Sequence, residues 1–488
     1  MRHLLLILPV LLPMAAGVTL LCRRQMGHRR FTLAAVGVTS ALAVLVLFTL
    51  HGRGAAVFVR LAPGLELALR VDSLSLVFGL LVSLLWPVST VYALSYMTHE
   101  GHERSFFSFF LLTYGAVLGL TLSANFLTLY LFYEVLTLCT LPLVMHGRDG
   151  KARYAGRRYL IYSFAGAALG LASLELLYHA GGTLEFVYGG VLGGALPAGE
   201  KTVMQIAFLL GFCGFGVKAA LFPFHGWLPA ASVAPTPVTA LLHAVAVVKA
   251  GVFAVARLIY FGFGAGALVG TWSQNVALGL AAFTIVFGSA MALREKHLKR
   301  RLAYSTISNL SYILFSLALM TTEGLTGGLT HLLCHAIIKI LLFFCAGAVL
   351  CQSGREYVNQ MRGIGRVMPV TMSAFVFGAL SLAGLPPLPG FLGKWNIAAA
   401  AVHLGTPMAY VGIGALLLSV RFTWLYLWPV VLSAFFPRED VGPTRFDGVR
   451  DPGRSMTGPL VLLSIVTILF VVCFPPLHQA LALVSQGY

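Results

Sequence analysis

The sequence predicts an all-α polytopic membrane protein of about fourteen transmembrane helices, built around two inverted five-helix repeats with broken helices. Three observations predict it. Of 488 residues, 58% are hydrophobic and only 10% are charged, against roughly 45–50% and about 25% in soluble domains. Apolar runs about 20 residues long, enough to cross a bilayer core, recur from end to end, and the mean hydropathy is +0.88. The loops between the runs alternate between rich and poor in Lys and Arg. This composition excludes a soluble enzyme, a nucleic-acid-binding domain and a disordered scaffold. The net charge of +17 would hint at nucleic acid in a soluble chain. Confined to short loops, it is a topology signal instead.

The spans are expected in order. Three lie near 4–22, 31–50 and 73–97, forming an N-terminal group, 1–105. Five lie near 106–122, 125–145, 159–180, 202–222 and 236–260, a first unit spanning 106–260. Five more lie near 274–293, 302–320, 325–351, 369–402 and 406–436, a second unit spanning 261–436. A loop and a last span near 457–484 complete the chain, 437–488. The opening run, MRHLLLILPVLLPMAAGVTLLCRR, is as long as a span and is followed by Arg23, Arg24, Arg29 and Arg30. It reads as a retained first helix rather than a cleaved signal. Loops 23–30, 98–105, 146–158, 294–301, 352–368 and 437–456 hold 22 of the 33 Lys/Arg; the opposite set holds Arg2, Arg53, Arg60, Arg70 and Lys201. The basic set marks the cytoplasm. With an even number of spans, both termini are expected on the non-cytoplasmic side of a prokaryotic inner (plasma) membrane. The lack of a transit peptide before the first span points the same way. Seven Cys lie scattered in apolar runs with no CxxC, and read as small core residues rather than disulfides or iron–sulfur ligands.

Ionisable residues inside spans are costly and usually mark an ion pathway. Glu134 lies about ten residues into its span, near the midplane. Lys218 and Lys249 lie within apolar runs, and Lys394 follows the Pro/Gly-rich GLPPLPGFLG. His331, His335 and Lys339 recur every fourth residue, along one helix face. If Glu134 pairs with Lys218, the carboxylate holds it charged, and moving the carboxylate away would make Lys218 a proton donor. Lys249, His331, His335, Lys339 and Lys394 could then carry the proton on. Plainer readings stand beside these. Arg257 and Arg421 suit a structural ion pair or a side chain reaching for the interface. His331 and His335 have the spacing of two metal ligands, but the stripe runs on into a cation, and no metal site is expected. His225 and His243 fit a relay or a structural role equally.

Two segments break the apolar pattern. One is FPFHGWLPAASVAPTPVTALLHAV, with Pro223, Pro229, Pro235 and Pro237; the other is SLAGLPPLPGFLGKW, with Pro386, Pro387 and Pro389. Proline removes a backbone donor, and irregular backbone at membrane depth survives only inside protein or beside water. Paired breaks point to inverted repeats and an ion site. Five spans per unit, an odd number, make the two units run in opposite senses.

FPFHGWLPAASVAPTPVTALLHAVAVVKAG, LKRRLAYSTISNLSYILF, HLLCHAIIKILLFFCAGAV and MRGIGRVMP…GLPPLPGFLGKW together resemble the antiporter-like proton-conducting membrane subunits. These occur in complex I, in membrane-bound hydrogenases and formate hydrogenlyase, and in Mrp-type cation/proton antiporters. The resemblance covers about residues 70–430. It implies fourteen helices with broken seventh and twelfth spans, and it places the family's relay on Glu134, Lys218, Lys249, the His331/His335/Lys339 cluster and Lys394. It also moves Pro229–Pro237 into the loop before the eighth span. The chain stops after its last span, without the long lateral helix of the largest complex I member, and so resembles the shorter members.

The function expected is proton translocation as one subunit of a redox-driven complex. The alternatives are an Mrp-type Na⁺/H⁺ antiporter subunit and a stand-alone solute carrier. No cofactor is expected in this chain. Iron–sulfur, nickel–iron, flavin or quinone groups would sit on partner subunits of an NADH:quinone oxidoreductase-like or hydrogenase complex. The expected partners are other membrane subunits, soluble redox subunits, the lipid bilayer, H⁺ and, in the antiporter case, Na⁺.

Overall fold

The computed structural model describes residues 2–23, 27–62, 64–197, 199–437 and 446–487. Arg24 and loop positions 438–445 lie outside the described residues. The helices in the first half are α1 Arg2–Cys22, α2 His28–Thr49, α3 Ser73–Tyr96, α4 Glu103–Thr121, α5 Phe126–Val144, α6 Gly150–Gly181, α7 Lys201–Gly216, α8 Trp227–Ala230, α9 Thr236–Ala244 and α10 Val247–Arg257. Those in the second half are α11 Ala265–Leu268, α12 Trp272–Arg294, α13 Leu298–Ala318, α14 Thr322–Ser353, α15 Ile364–Val367, α16 Pro369–Ala383, α17 Pro389–Leu404, α18 Pro407–Phe435, α19 Arg454–Val472 and α20 Phe474–Ser485. A wider-pitch turn, Leu258–Phe263, extends α10. Among the described residues, eleven helical stretches are long and apolar enough to cross a membrane; Lys201–Gly216 and Pro369–Ala383 are shorter apolar helices. The chain is a multi-pass membrane protein.

Several expected boundaries are corrected. The chain is not all-α: β1 (Ala56–Ala62) and β2 (Leu65–Leu69) form an antiparallel hairpin between α2 and α3. The expected span at 202–222 stops at Gly216, before Pro223, because Ala220 takes a left-handed φ of 58° and the chain turns there. The expected span at 236–260 is itself broken, at Val245–Ala246, directly ahead of Lys249. The run 457–484 is two helices, α19 and α20, because Pro475 and Pro476 open a new helix. The break at 384–388 stands as expected: α16 ends at Gly384 with φ 90°, Pro386 and Pro387 fill the gap, and Pro389 opens α17. Pro229 falls in α8, Pro235 caps α9 and Pro237 lies in its first turn.

The two ends of the bundle differ. At one end the hairpin knits the loops together: Arg70 N donates to Leu122 O, Ala124 N to Ala68 O, and Phe126 N to Leu184 O. From there Gly189 N reaches Tyr260 O and Val191 N reaches Gly262 O. The other end gathers the described basic loops. Leu298 N donates to Glu356 O, His28 and Arg29 bind Glu103 at 2.8 and 2.9 Å, and Cys351 meets His99 at 3.3 Å.

Beside the hairpin, Arg257 is fully buried and grips Asp72 with two bonds of 2.6 and 2.7 Å. It also donates to Ser75 Oγ at 3.2 Å and lies 4.4 and 4.6 Å from the rings of Phe186 and Phe261. Asp72 in turn caps α3 by accepting from Ser75 N. The pair fastens α10 to α3, the structural role weighed above for Arg257. Removing one partner of such a pair costs about 3–5 kcal/mol. Arg257→Leu is therefore expected to lower the thermal unfolding temperature of the detergent-solubilised protein markedly. Adding Asp72→Asn, which keeps the cap, should recover at least half of the loss.

Candidate functional site

The ionisable residues read from the sequence converge in the bundle interior. Lys218 lies inside the α7 break, 1% exposed. The break is pinned by Trp227, whose Nε1 donates to Val217 O at 2.8 Å. Lys218 Nζ donates to Tyr133 O and sits 3.3 Å from the centre of the Tyr133 ring. Glu134, the next residue on α5, is partly buried, and its Oε1 has no hydrogen-bond partner. Among the described residues Glu134 makes no ion pair within 4.0 Å. The direct Glu134–Lys218 contact considered above is absent; the backbone and ring of Tyr133 stand in its place.

From the break the row crosses to α10. A Cβ on Gly251 would fall 2.6 Å from Ala219 N and 3.0 Å from the Lys218 carbonyl carbon, so only glycine lets α10 lie against the break. Two residues earlier, Lys249 Nζ lies 2.9 Å from His335 Nδ1, both groups fully buried. Two cations at that distance would repel by about 6 kcal/mol at an effective dielectric near 20, so the contact is a hydrogen bond with at least one partner neutral.

The α14 stripe continues the row. His331 and His335 stack with centroids 6.1 Å apart. His331 Nε2 meets Asn309 Oδ1 at 3.2 Å, and its Nδ1 is unpartnered. Lys339 Nζ donates to Leu302 O at 2.9 Å and to Ser305 Oγ. The Tyr312 ring bridges what remains, 5.3 Å from His331 and 5.6 Å from Lys394 Nζ. Its hydroxyl donates to Ser419 Oγ at 2.6 Å. Lys394 Nζ donates to Leu382 O at 2.7 Å and Ala383 O at 3.3 Å, carbonyls at the end of α16. A Cβ on Gly393 would strike His331 Nδ1 at 2.6 Å, so α17 and α14 touch through glycine there.

The two remaining histidines separate. His243 is fully buried beside the row with neither ring nitrogen hydrogen-bonded, 4.7 Å from the Phe343 ring. His225 stands apart, between Phe222 and Phe287, on a cavity of about 530 Å³ lined by Lys151, Arg158, Arg300 and Tyr304 at the basic end. Sequence reasoning missed Asn309, Ser305, Tyr312 and Ser419. For the first three the run YSTISNLSY was the available signal, since Ser, Thr and Asn at this density are unusual inside an apolar span; Ser419 had no such signal.

A membrane bundle whose interior holds a row of lysines and histidines, resting on carbonyls and imidazoles beside broken helices, has the layout that marks an ion pathway in membrane proteins. The comparisons make this specific. The chain belongs to the NADH:quinone oxidoreductase/Mrp antiporter transmembrane family, whose profile matches residues 123–421. It is 34% identical to NADH-quinone oxidoreductase subunit N of Desulforudis audaxviator, over 95% of this chain and 93% of that one. It is also 34% identical to a Na⁺/H⁺ antiporter subunit of Alkalihalophilus pseudofirmus, over 68% of this chain but 42% of that one. With hydrogenase-4 component B of Escherichia coli it shares 31%, over 79% and 61%. A chain of the archaeal membrane-bound sulfane sulfur reductase superposes with a TM-score of 0.85 at 25% identity, covering 98% of this chain and 96% of that one. Chains of the Dietzia Mrp complex and of Thermus thermophilus complex I share the fold at 24% identity, with TM-scores of 0.83 and 0.81 and 97–99% coverage on both sides. All three structures are multisubunit membrane complexes, and this chain is an antiporter-like membrane subunit of the same family.

The geometry predicts which part of Tyr133 matters. Lys218 uses its carbonyl and its ring, while its hydroxyl donates to Phe215 O at 3.3 Å, so Tyr133→Phe should cost only about 1 kcal/mol. Tyr133→Leu also removes the buried ring, with its packing and its contact to Lys218, and should cost about 3 kcal/mol or more, read by denaturant unfolding in detergent.

Proposed function

We propose that the chain moves protons across the membrane through this row, as one subunit of a multisubunit complex. The observation that carries the reading is the row itself: Lys218, Lys249–His335, His331, Lys339 and Lys394 in one interior, each resting on a neutral acceptor. Groups held this way change charge when a neighbouring charge moves. In this reading protons load at the first break near Glu134 and His225. They pass through Lys249 and the α14 stripe, and leave by Lys394. Moving one charge against 100 mV takes about 2.3 kcal/mol. That work comes from partner subunits or from a counter-ion gradient.

The finer architecture belongs to the same proposal. Fourteen spans result when the broken α7 and α16–α17 segments and the polar α13 are each counted as a crossing. The units 106–260 and 261–436 are then inverted repeats. The two tyrosines support this: Lys218 lies over Tyr133, on the second span of its unit, and Lys394 over Tyr312, on the second span of the other. The position after Tyr312 is Ile313, so the second unit lacks the counterpart of Glu134. The basic end is cytoplasmic and both termini lie on the opposite side of an inner membrane. A second reading is a Na⁺/H⁺ antiporter role, favoured by the identity to the Alkalihalophilus antiporter protein.

Lys218→Ala and Lys394→Ala, in complexes assembled at normal levels, are each expected to cut proton transport to about a tenth or less. An assembled Lys218→Ala complex that kept full transport would overturn the proposal. Mild-detergent purification of the tagged chain separates the two readings. Co-purifying iron–sulfur, nickel–iron or NADH-binding subunits indicate a redox-driven pump. Partners that are all membrane proteins, with sodium-dependent proton exchange, indicate the antiporter.

A further inference from the structure

The relay leaves one intramembrane cation unused. Arg421 is the fifteenth of 29 residues in α18, and it is exposed. Among the described residues it makes no hydrogen bond, ion pair or ring contact. Its depth follows from its neighbours. Ser419 Oγ bonds Ser308 Oγ at 2.9 Å, and Ser308 is the eleventh of 21 residues of α13. Ser308 also donates to Ile285 O, near the middle of α12. Ser419 therefore lies near the midplane, with Arg421 about 3 Å further along the axis. The headgroup region begins roughly 15 Å from the midplane, beyond the reach of an arginine side chain.

The face around Arg421 is otherwise apolar. Leu417, Leu418, Leu425 and Trp428 share its exposed stripe, at 67, 40, 49 and 38% exposure. Gly414, two turns away on the same stripe, faces open space where a Cβ would meet nothing within 4 Å. A glycine notch of this kind lets another helix approach closely. A charge facing hydrocarbon is among the least tolerated arrangements in a membrane, whereas a cation facing a carboxylate across a helix pair is satisfied.

We propose that this stripe of α18 is an interface, and that it docks a transmembrane helix of a neighbouring membrane protein carrying a carboxylate near the bilayer midplane. The inference rests on the reading that the chain works within a multisubunit complex, but not on proton conduction. Its test uses the assembled complex in its native membrane, with a benzoylphenylalanine photocrosslinker at Leu417. The crosslink is expected to join one membrane subunit bearing an Asp or Glu in the contacting helix. Arg421→Glu should lower co-purification of that subunit about tenfold or more. Exchanging the partner's carboxylate for arginine should restore it, while Arg421→Lys should retain most of it. Capture of phospholipid alone, or wild-type assembly of Arg421→Leu, would overturn the proposal. The crosslink is made with Arg421 intact, so it reads the interface even where the charge variants do not fold. A tagged chain that purifies with no partner would instead sink the reading of a complex.

Discussion

An ammonium group inside a bilayer needs lone pairs, and in this protein the backbone supplies most of them. Lys218 is held by the Tyr133 carbonyl, Lys339 by Leu302, and Lys394 by Leu382 and Ala383. Those last two are available because α16 stops at Ala383 and leaves its terminal carbonyls without helical partners. The negative end of the half-helix dipole points at the same place. The break and the buried lysine are thus one device. A carboxylate in that position would fix the charge on the lysine, whereas a carbonyl satisfies the ammonium and the neutral amine alike. Glu134, the acid beside the row, stands one residue away from direct contact.

Composition and loop charge revealed the membrane class and the long apolar helices, eleven of which among the described residues are long and apolar enough to cross a membrane, because hydrophobic length and Lys/Arg bias are properties of single segments. The buried lysines of the row were legible for the same reason: a lysine in an apolar run is conspicuous wherever the run folds. What was hidden depends on contacts between segments. The break ahead of Lys249 carries no proline or glycine; it forms where Val245 and Ala246 leave helical geometry in a fully buried helix. The Asp72–Arg257 pair joins residues 185 positions apart. The hairpin had a local signal in VFVRLAPGLELAL, two short runs flanking a Pro-Gly pair in the sequence, but a short amphipathic segment between long apolar runs reads as loop. Asn309 and Tyr312 take on meaning only once α14 and α17 are packed against α13.

Glycine sets how closely the members of the row approach one another. At Gly251 and Gly393 one helix lies directly on the backbone or the histidine of the next. These contacts bring Lys249 beside the first break and His331 beside Lys394 without any long side chain crossing the gap. The row is therefore assembled from short steps between rigid elements. Small displacements of one helix change which groups are within reach.

The β-hairpin gives the bundle unequal ends. Its backbone bonds, continued through 122–126 and 184–191 to the turn at 260–262, make a hydrogen-bonded collar around that face. The opposite face is joined by separate clasps: the backbone bonds Leu298 N–Glu356 O and Val358 N–Lys296 O, and side-chain pairs such as His28–Glu103 and His99–Cys351. A tilting force from a neighbouring protein therefore meets most backbone resistance at the collar, while Lys218 is held at its own break by Trp227 and by the close approach of Gly251.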